Sequence, residues 1–174
     1  QNTTSKTKGY FGLIRSGFDI FLDNRNTFTI AGSYNKGKFN PVDELFTQTD
    51  TLLDGYTSSS FTSRNSDNER TFMNTGGTLA YKHLFPKEGK EITADMNFNS
   101  MKSNQEGNYI TQNFNGENVV LGNPVLQQQV SQGENTFITA QTDFVTPLKN
   151  KMKLEAGLRG AVRNYSSVNQ NFIF

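Results

Sequence analysis

The stretch KEITADMNFNSMK, residues 90–102, alternates without a break. Ile92, Ala94, Met96 and Phe98 share one register, while Glu91, Thr93, Asp95, Asn97 and Asn99 share the other. Strand side chains point alternately to opposite faces, so the stretch predicts a β-strand with an apolar medium on one side and water on the other. That medium is either a protein core or a lipid bilayer.

The same period recurs on both sides of this strand. In GYFGLIRSGFDIFLD, Tyr10, Ile14, Phe18, Ile20 and Leu22 oppose Arg15, Gly17 and Asp19; after the turn DNRN, Phe28, Ile30 and Tyr34 oppose Thr27, Thr29, Ser33 and Asn35. RTFMNTGGTLAYKHLF sets Met73, Leu79 and Tyr81 against Asn74, Thr78 and Lys82, and PKEGK turns it into the opening strand. NTFITAQTDFV sets Ile138, Ala140 and Phe144 against Gln141 and Asp143, with Phe137 and Val145 out of phase on its polar face. After TPLKN, Met152, Leu154, Ala156, Leu158 and Val162 oppose Lys153, Glu155, Arg159 and Arg163. These segments predict an all-β, antiparallel up-and-down meander of about six long strands in three hairpins (about 8–39, 70–102 and 135–165). Between the hairpins lie two segments of about 30 residues each (about 40–69 and 103–134), read as long loops because hairpin connections are usually far shorter. Strict alternation of short and long connections puts every short turn at one end of the sheet.

Composition narrows the choice of medium. Only 33% of the 174 residues are hydrophobic, yet 15 Phe and 6 Tyr argue against a disordered chain. Seventeen basic and 16 acidic residues leave a net charge of +1, so no basic field exists for nucleic acid. The absence of cysteine removes disulfides, thiolate metal sites and cysteine nucleophiles. No apolar run reaches helical spanning length, whereas barrel strands need only about 9–11 residues with alternate positions apolar.

Three features favour lipid over a core. The loop asymmetry is that of outer-membrane barrels. Aromatics gather toward the short turns (Phe21, Phe28, Tyr81, Phe85, Phe144) and toward the long segments (Tyr10, Tyr34, Phe72, Tyr165), as interfacial girdles do. The polar faces carry charges in mid-strand, at Arg15, Asp19, Asp95, Glu155 and Arg159, which suits a water-filled lumen. A soluble antiparallel β domain acting as a ligand- or partner-binding module, its apolar faces packed together, is the alternative reading.

The phrases KGYFGLIRSGFDIFLDNRNTFTIAGSYN, LAYKHLFPKEGKEITADMNFN and TAQTDFVTPLKNKMKLEAGLRGAVRN resemble the β-barrel portion of TonB-dependent outer-membrane receptors of the Bacteroidetes type. The resemblance implies a bacterial outer-membrane protein importing a nutrient, with outer-membrane lipid, further barrel strands, a plug domain and TonB as partners. Such a receptor has about 22 strands, so the chain is expected to be an internal piece of a larger barrel.

The candidates for chemistry are few. His83, the sole histidine, has no second His or Cys beside it and reads as an interfacial side chain. Asp43, Glu44, Asp50 and Asp54 lack EF-hand spacing and read as a solvated acidic loop. No catalytic motif stands out, and no cofactor or metal is expected. Tyr56, Phe61, Tyr109 and Asn113, aromatics and an amide in the two long segments, are the expected ligand-binding groups, suited to a glycan or a peptide.

Overall fold

The computed structural model describes residues 1–53 and 55–174. They form one six-stranded antiparallel sheet in the order of the chain: β1 (Asn2–Phe21), β2 (Asn26–Leu53), β3 (Tyr56–Leu84), β4 (Glu91–Phe114), β5 (Val120–Pro147) and β6 (Lys153–Ile173). The all-β meander expected from periodicity is present. The two segments 40–69 and 103–134 differ from expectation, because both are strand. Val42–Leu53 pairs with Tyr56–Asp67, and Ser103–Thr111 pairs with Val125–Gly133. Their sequences lost the apolar alternation without losing the backbone ladder, which happens when a strand has water on both faces.

All the connections are therefore short, and each uses local chemistry. Asp23 accepts hydrogen bonds from the Arg25 and Asn26 backbone N–H groups at 2.7 and 2.8 Å, closing the β1–β2 turn. Those bonds, with one from the Asn26 side chain, hold its carboxyl below the ordinary aspartate range. Asn115 does the same at the β4–β5 turn, accepting from Glu117 and Val119 at 3.0 and 2.8 Å. Asn150 and Lys151 both adopt positive φ (59° and 60°), the pair of left-handed residues that a tight hairpin of type I′ requires.

Register carries the faces across the sheet. Phe18, Ile30, Leu79, Met96 and Ala140 are successive neighbours on five strands. One residue along, Asp19, Thr29, Ala80, Asp95, Gln141 and Arg159 line up on the opposite face. There Thr29 donates to Asp19 at 2.6 Å and Thr78 to Asn97 at 2.8 Å, so polar side chains reinforce the ladder. The apolar band runs from the row of His83, Ile92 and Phe144 to the row of Ile14, Tyr34 and Thr75. Beyond it the same face carries Lys36 and the ion pairs Lys38–Glu69 (2.7 Å) and Lys102–Glu134 (3.2 Å).

Strand length separates band from overhang. At about 3.3 Å per residue, the 29 residues of β3 reach roughly 95 Å, whereas an apolar band needs only about 9–11 residues to cross hydrocarbon. The rest of β2 to β5 projects past the ion pairs as two adjacent hairpins. Register also corrects the reading of the aromatics. Phe28, Tyr81, Phe144, Tyr10 and Tyr34 lie on the apolar face, but Phe21, Phe72 and Tyr165 share the polar register and cannot belong to a girdle there.

No apolar side chain is buried among the described residues, and Ile14 and Leu158 are 71% and 76% exposed. The sheet is a single layer with no second layer on its apolar face, and β1 and β6 each have one neighbour. Open edges present rows of unpaired N–H and C=O groups that recruit other chains. The isolated 174-residue chain is therefore expected to self-associate; light scattering in non-denaturing detergent should return a mass above one copy, and a stable monomer would contradict the exposed edges.

Candidate binding surface on the polar face

The four expected ligand-binding residues do not converge. Tyr56 sits at the tip of the β2–β3 hairpin, 82% exposed. Phe61 falls in the apolar-side register, where its ring stacks on Phe46 at 5.6 Å. Tyr109 and Asn113 share the polar-side register with Tyr56, and Asn113 accepts a hydrogen bond from the Thr62 hydroxyl at 3.0 Å. Phe61 thus faces away from the other three. The acidic residues also divide: Asp43 lies on the polar face, Glu44 and Asp50 on the other, and Asp54 lies outside the described residues. No group of three potential metal ligands occurs among the described residues.

The polar face of the overhang carries a connected strip instead. Asp43 accepts from the Ser5 hydroxyl and from Ser66 at 3.3 Å, and Asn68 donates to Ser66 at 3.2 Å. Ser66 and Asn68 are only 8% and 5% exposed, and Asn68 Oδ1 has no partner among the described residues. Glycine makes that burial possible, since a Cβ on Gly107 would stand 2.4 Å from Asn68 Oδ1 and 2.7 Å from the Tyr109 hydroxyl. Tyr109 lies over Gly107, and the Arg64 guanidinium sits 4.4 Å from the Tyr109 ring centroid. Near the tip, on the opposite face, hydrogen bonds from Gln48 and Ser59 hold the Asp50 carboxyl below its usual range. That contribution is present above the unfolded aspartate pKa and is lost as pH falls through the depressed one.

A second feature lies closer to the apolar band. Phe11, Phe72 and Phe39 form a run of stacked rings with centroids 6.1 and 6.0 Å apart. They rest on glycine: a Cβ on Gly37 would be 2.6 Å from the Phe72 ring, and one on Gly9 would be 2.4 Å from Phe39. Beside Phe72 the polar face opens into a trough of about 310 Å³ that reaches Tyr165. The sequence signal for it was present in part, because Phe11, Phe39 and Phe72 are apolar residues out of phase with their strands. Cross-strand register was needed to show them meeting.

At the other end, His83 Nδ1 lies 2.6 Å from Asn26 Oδ1, and its ring meets Phe85 edge-on at 4.6 Å. Lys90 reaches over Phe85 at 4.5 Å. This arrangement is an aromatic and cationic margin to the apolar band, with amide and ring partners for the histidine.

Among known proteins, the chain matches a family model described as an outer membrane protein beta-barrel family over residues 83–174, just over half its length. A search of curated protein sequences returns no match. The Arg64–Tyr109 contact is the most directly measurable part of the strip. A double-mutant cycle of Arg64→Ala and Tyr109→Leu, followed by denaturant unfolding in detergent, is expected to give a coupling of about 0.5–1 kcal/mol. Tyr109→Phe should keep most of it, and zero coupling would remove the contact from the folded state.

Proposed function

Since the chain belongs to the outer membrane protein β-barrel family, and so forms barrel wall in the bacterial outer membrane, we propose that it is part of a TonB-dependent receptor that imports a nutrient. The single observation carrying this reading is the asymmetry of the sheet. A lipid-width apolar band sits at one end, and two hairpins with polar residues on both faces extend far past it in the same direction. Barrels in this membrane have short periplasmic turns and long external segments, so the hairpins face the outside. There they gather a solute, and an energised plug elsewhere in the protein admits it.

In a barrel wall the apolar register meets lipid and the polar register meets the lumen. The residues of the lumen side fit solute passage, being amides, hydroxyls and charges of both signs rather than a field of one sign. Lys82–Glu91, at 2.7 Å, neutralises one such pair near the short turns. Tyr56, Tyr109 and Asn113 would contribute to capture from the lumen side of the overhang, with Phe61 supporting the hairpin through its stack on Phe46.

Two measurements test the reading at different levels. Met96→Arg puts a charge at mid-bilayer and should cost about 2–4 kcal/mol, visible as lost assembly into the membrane, while Asn97→Arg on the lumen side should assemble almost normally. For transport, Thr49–Ser60 can be replaced by Asn-Gly, which leaves Gln48 and Phe61 as the closing pair and disturbs no pairing with β1 or β4. Solute uptake by cells carrying the full barrel is expected to need a working TonB complex and to fall on that replacement. Uptake that proceeds equally without TonB would overturn the receptor reading and leave the barrel wall intact.

A further inference from the structure

We infer that the lipid side of the β3–β4 turn binds the phosphate of an acidic glycerophospholipid in the periplasmic leaflet, with Lys90 as its cation. The inference rests on the barrel wall and on the periplasmic place of the short turns, and it is independent of import. Height along the strands comes first. The row of His83, Ile92 and Phe144 closes the apolar band, and the next pair outward is Phe85 and Lys90, joined by the Phe85 N–H to the Lys90 carbonyl at 2.9 Å. Two residues add about 7 Å, which brings Lys90 from the hydrocarbon border to the level of the lipid phosphates. On the same face Ile92, Ala94 and Met96 continue down β4 from Lys90, a track for an acyl chain.

The cation is held in place and left without a counter-charge. Lys90 Nζ lies 4.5 Å from the Phe85 ring centroid and 5.6 Å from that of Phe144, and the two rings meet edge-on at 6.2 Å. Ring faces attract the charge but give its three N–H groups no oxygen. Two nearby carboxylates are committed elsewhere: Glu91 pairs with Lys82 on the polar face at 2.7 Å, and Asp23 takes the Asn26 side chain at 2.7 Å and two backbone N–H groups. At the opposite border Lys38 and Lys102 each have a glutamate, whereas Lys90 is in no ion pair among the described residues, Glu88 of its own turn included. A network fixes the rings beneath it. Asn26 gives its amide N–H groups to Asp23, so its Oδ1 accepts from both the Tyr81 hydroxyl and His83 Nδ1, each at 2.6 Å. The His83 ring so placed meets Phe85 edge-on at 4.6 Å, and Phe85 presents its face to Lys90. All of these residues lie on or beside the interior strands β2 to β5. A phosphodiester supplies oxygens for the N–H groups and one negative charge for the ammonium, while a zwitterionic headgroup brings its own cation to the same place.

The test uses the full barrel purified in detergent and stripped of lipid. Palmitoyl-oleoyl phosphatidylglycerol is the probe and phosphatidylcholine of the same chains the reference, both read by native mass spectrometry. The wild type is expected to bind the acidic lipid about fivefold more tightly than the zwitterionic one, the preference that one lysine at a membrane surface confers. Lys90→Gln should erase that preference and Lys90→Arg should keep it. Lys87→Gln removes the same charge from the same turn, but Lys87 Nζ is given to the Pro147 carbonyl at 2.5 Å, so the preference should survive. His83→Leu should reduce the preference while leaving phosphatidylcholine binding unchanged, a split that general loss of structure would not produce. Millimolar inorganic phosphate should not displace the lipid. Equal binding of the two lipids by the wild type, equal loss in Lys87→Gln and Lys90→Gln, or displacement by inorganic phosphate each overturns the inference, the last by assigning a soluble anion. TonB-independent uptake would refute the receptor reading alone and leave the lipid site standing.

Discussion

The interstrand backbone ladder holds this chain together, because no buried apolar core stands behind it among the described residues. In most folds the ladder and a core share the task, and either one tolerates local defects in the other. Here every residue from Phe21 back to Asn2 is held sideways by β2, and the apolar residues face outward from a single layer. The hydrophobic effect still acts, but its partner is the bilayer. In hydrocarbon an unpaired backbone group costs several kcal/mol, so the ladder must be complete through the apolar band, and in the interior of the sheet it is: from Glu91 to Thr111, every residue of β4 pairs with β5. The register shift falls only at Thr111–Asn113, in the overhang, where water can satisfy what the bulge leaves open.

That same division explains what could be read from the sequence. Ile92 to Phe98 alternates because two media bracket it, and hydropathy records the boundary between media. The six strands, their order and the assignment of faces at Met96, Asn97, Leu158 and Arg159 follow from it directly. Segments 40–69 and 103–134 continue as strand under water on both sides, and there hydropathy has no boundary to report. Their Thr, Ser, Asn and Gln content reads equally well as loop. Phe21, Phe72 and Tyr165 leave the apolar face for a related reason: proximity to a strand end is visible in sequence, while the face is fixed by parity counted along the ladder.

The candidate site depended on cross-strand register even more. Tyr109 and Asn113 stood out by residue type, and the structure puts both on the polar face. Phe61 stood out for the same reason and lies on the other. The strip from Asp43 through Ser66 and Asn68 to Tyr109, and the rings of Phe11, Phe72 and Phe39, join residues far apart in the chain. Their shared device is glycine on the neighbouring strand, at Gly107, Gly37 and Gly9, which lets a side chain lie flat on the sheet. A glycine in a strand normally weakens it; here the space it leaves is filled from next door.

The two hairpins of the overhang are unequal. Pairing with β4 ends at Phe61, opposite Phe114, so Tyr56–Ser60 at the start of β3 stand past the neighbouring hairpin with β2 alone beside them. A strand end that has lost one neighbour is held less firmly than one paired on both sides, and it twists more freely. Mechanically, it is a compliant whisker on a stiff plate. The backbone of Tyr56–Ser60 opens to exchange before that of the band, and contact with Tyr56 is made by a surface that yields while the wall beneath it stays fixed.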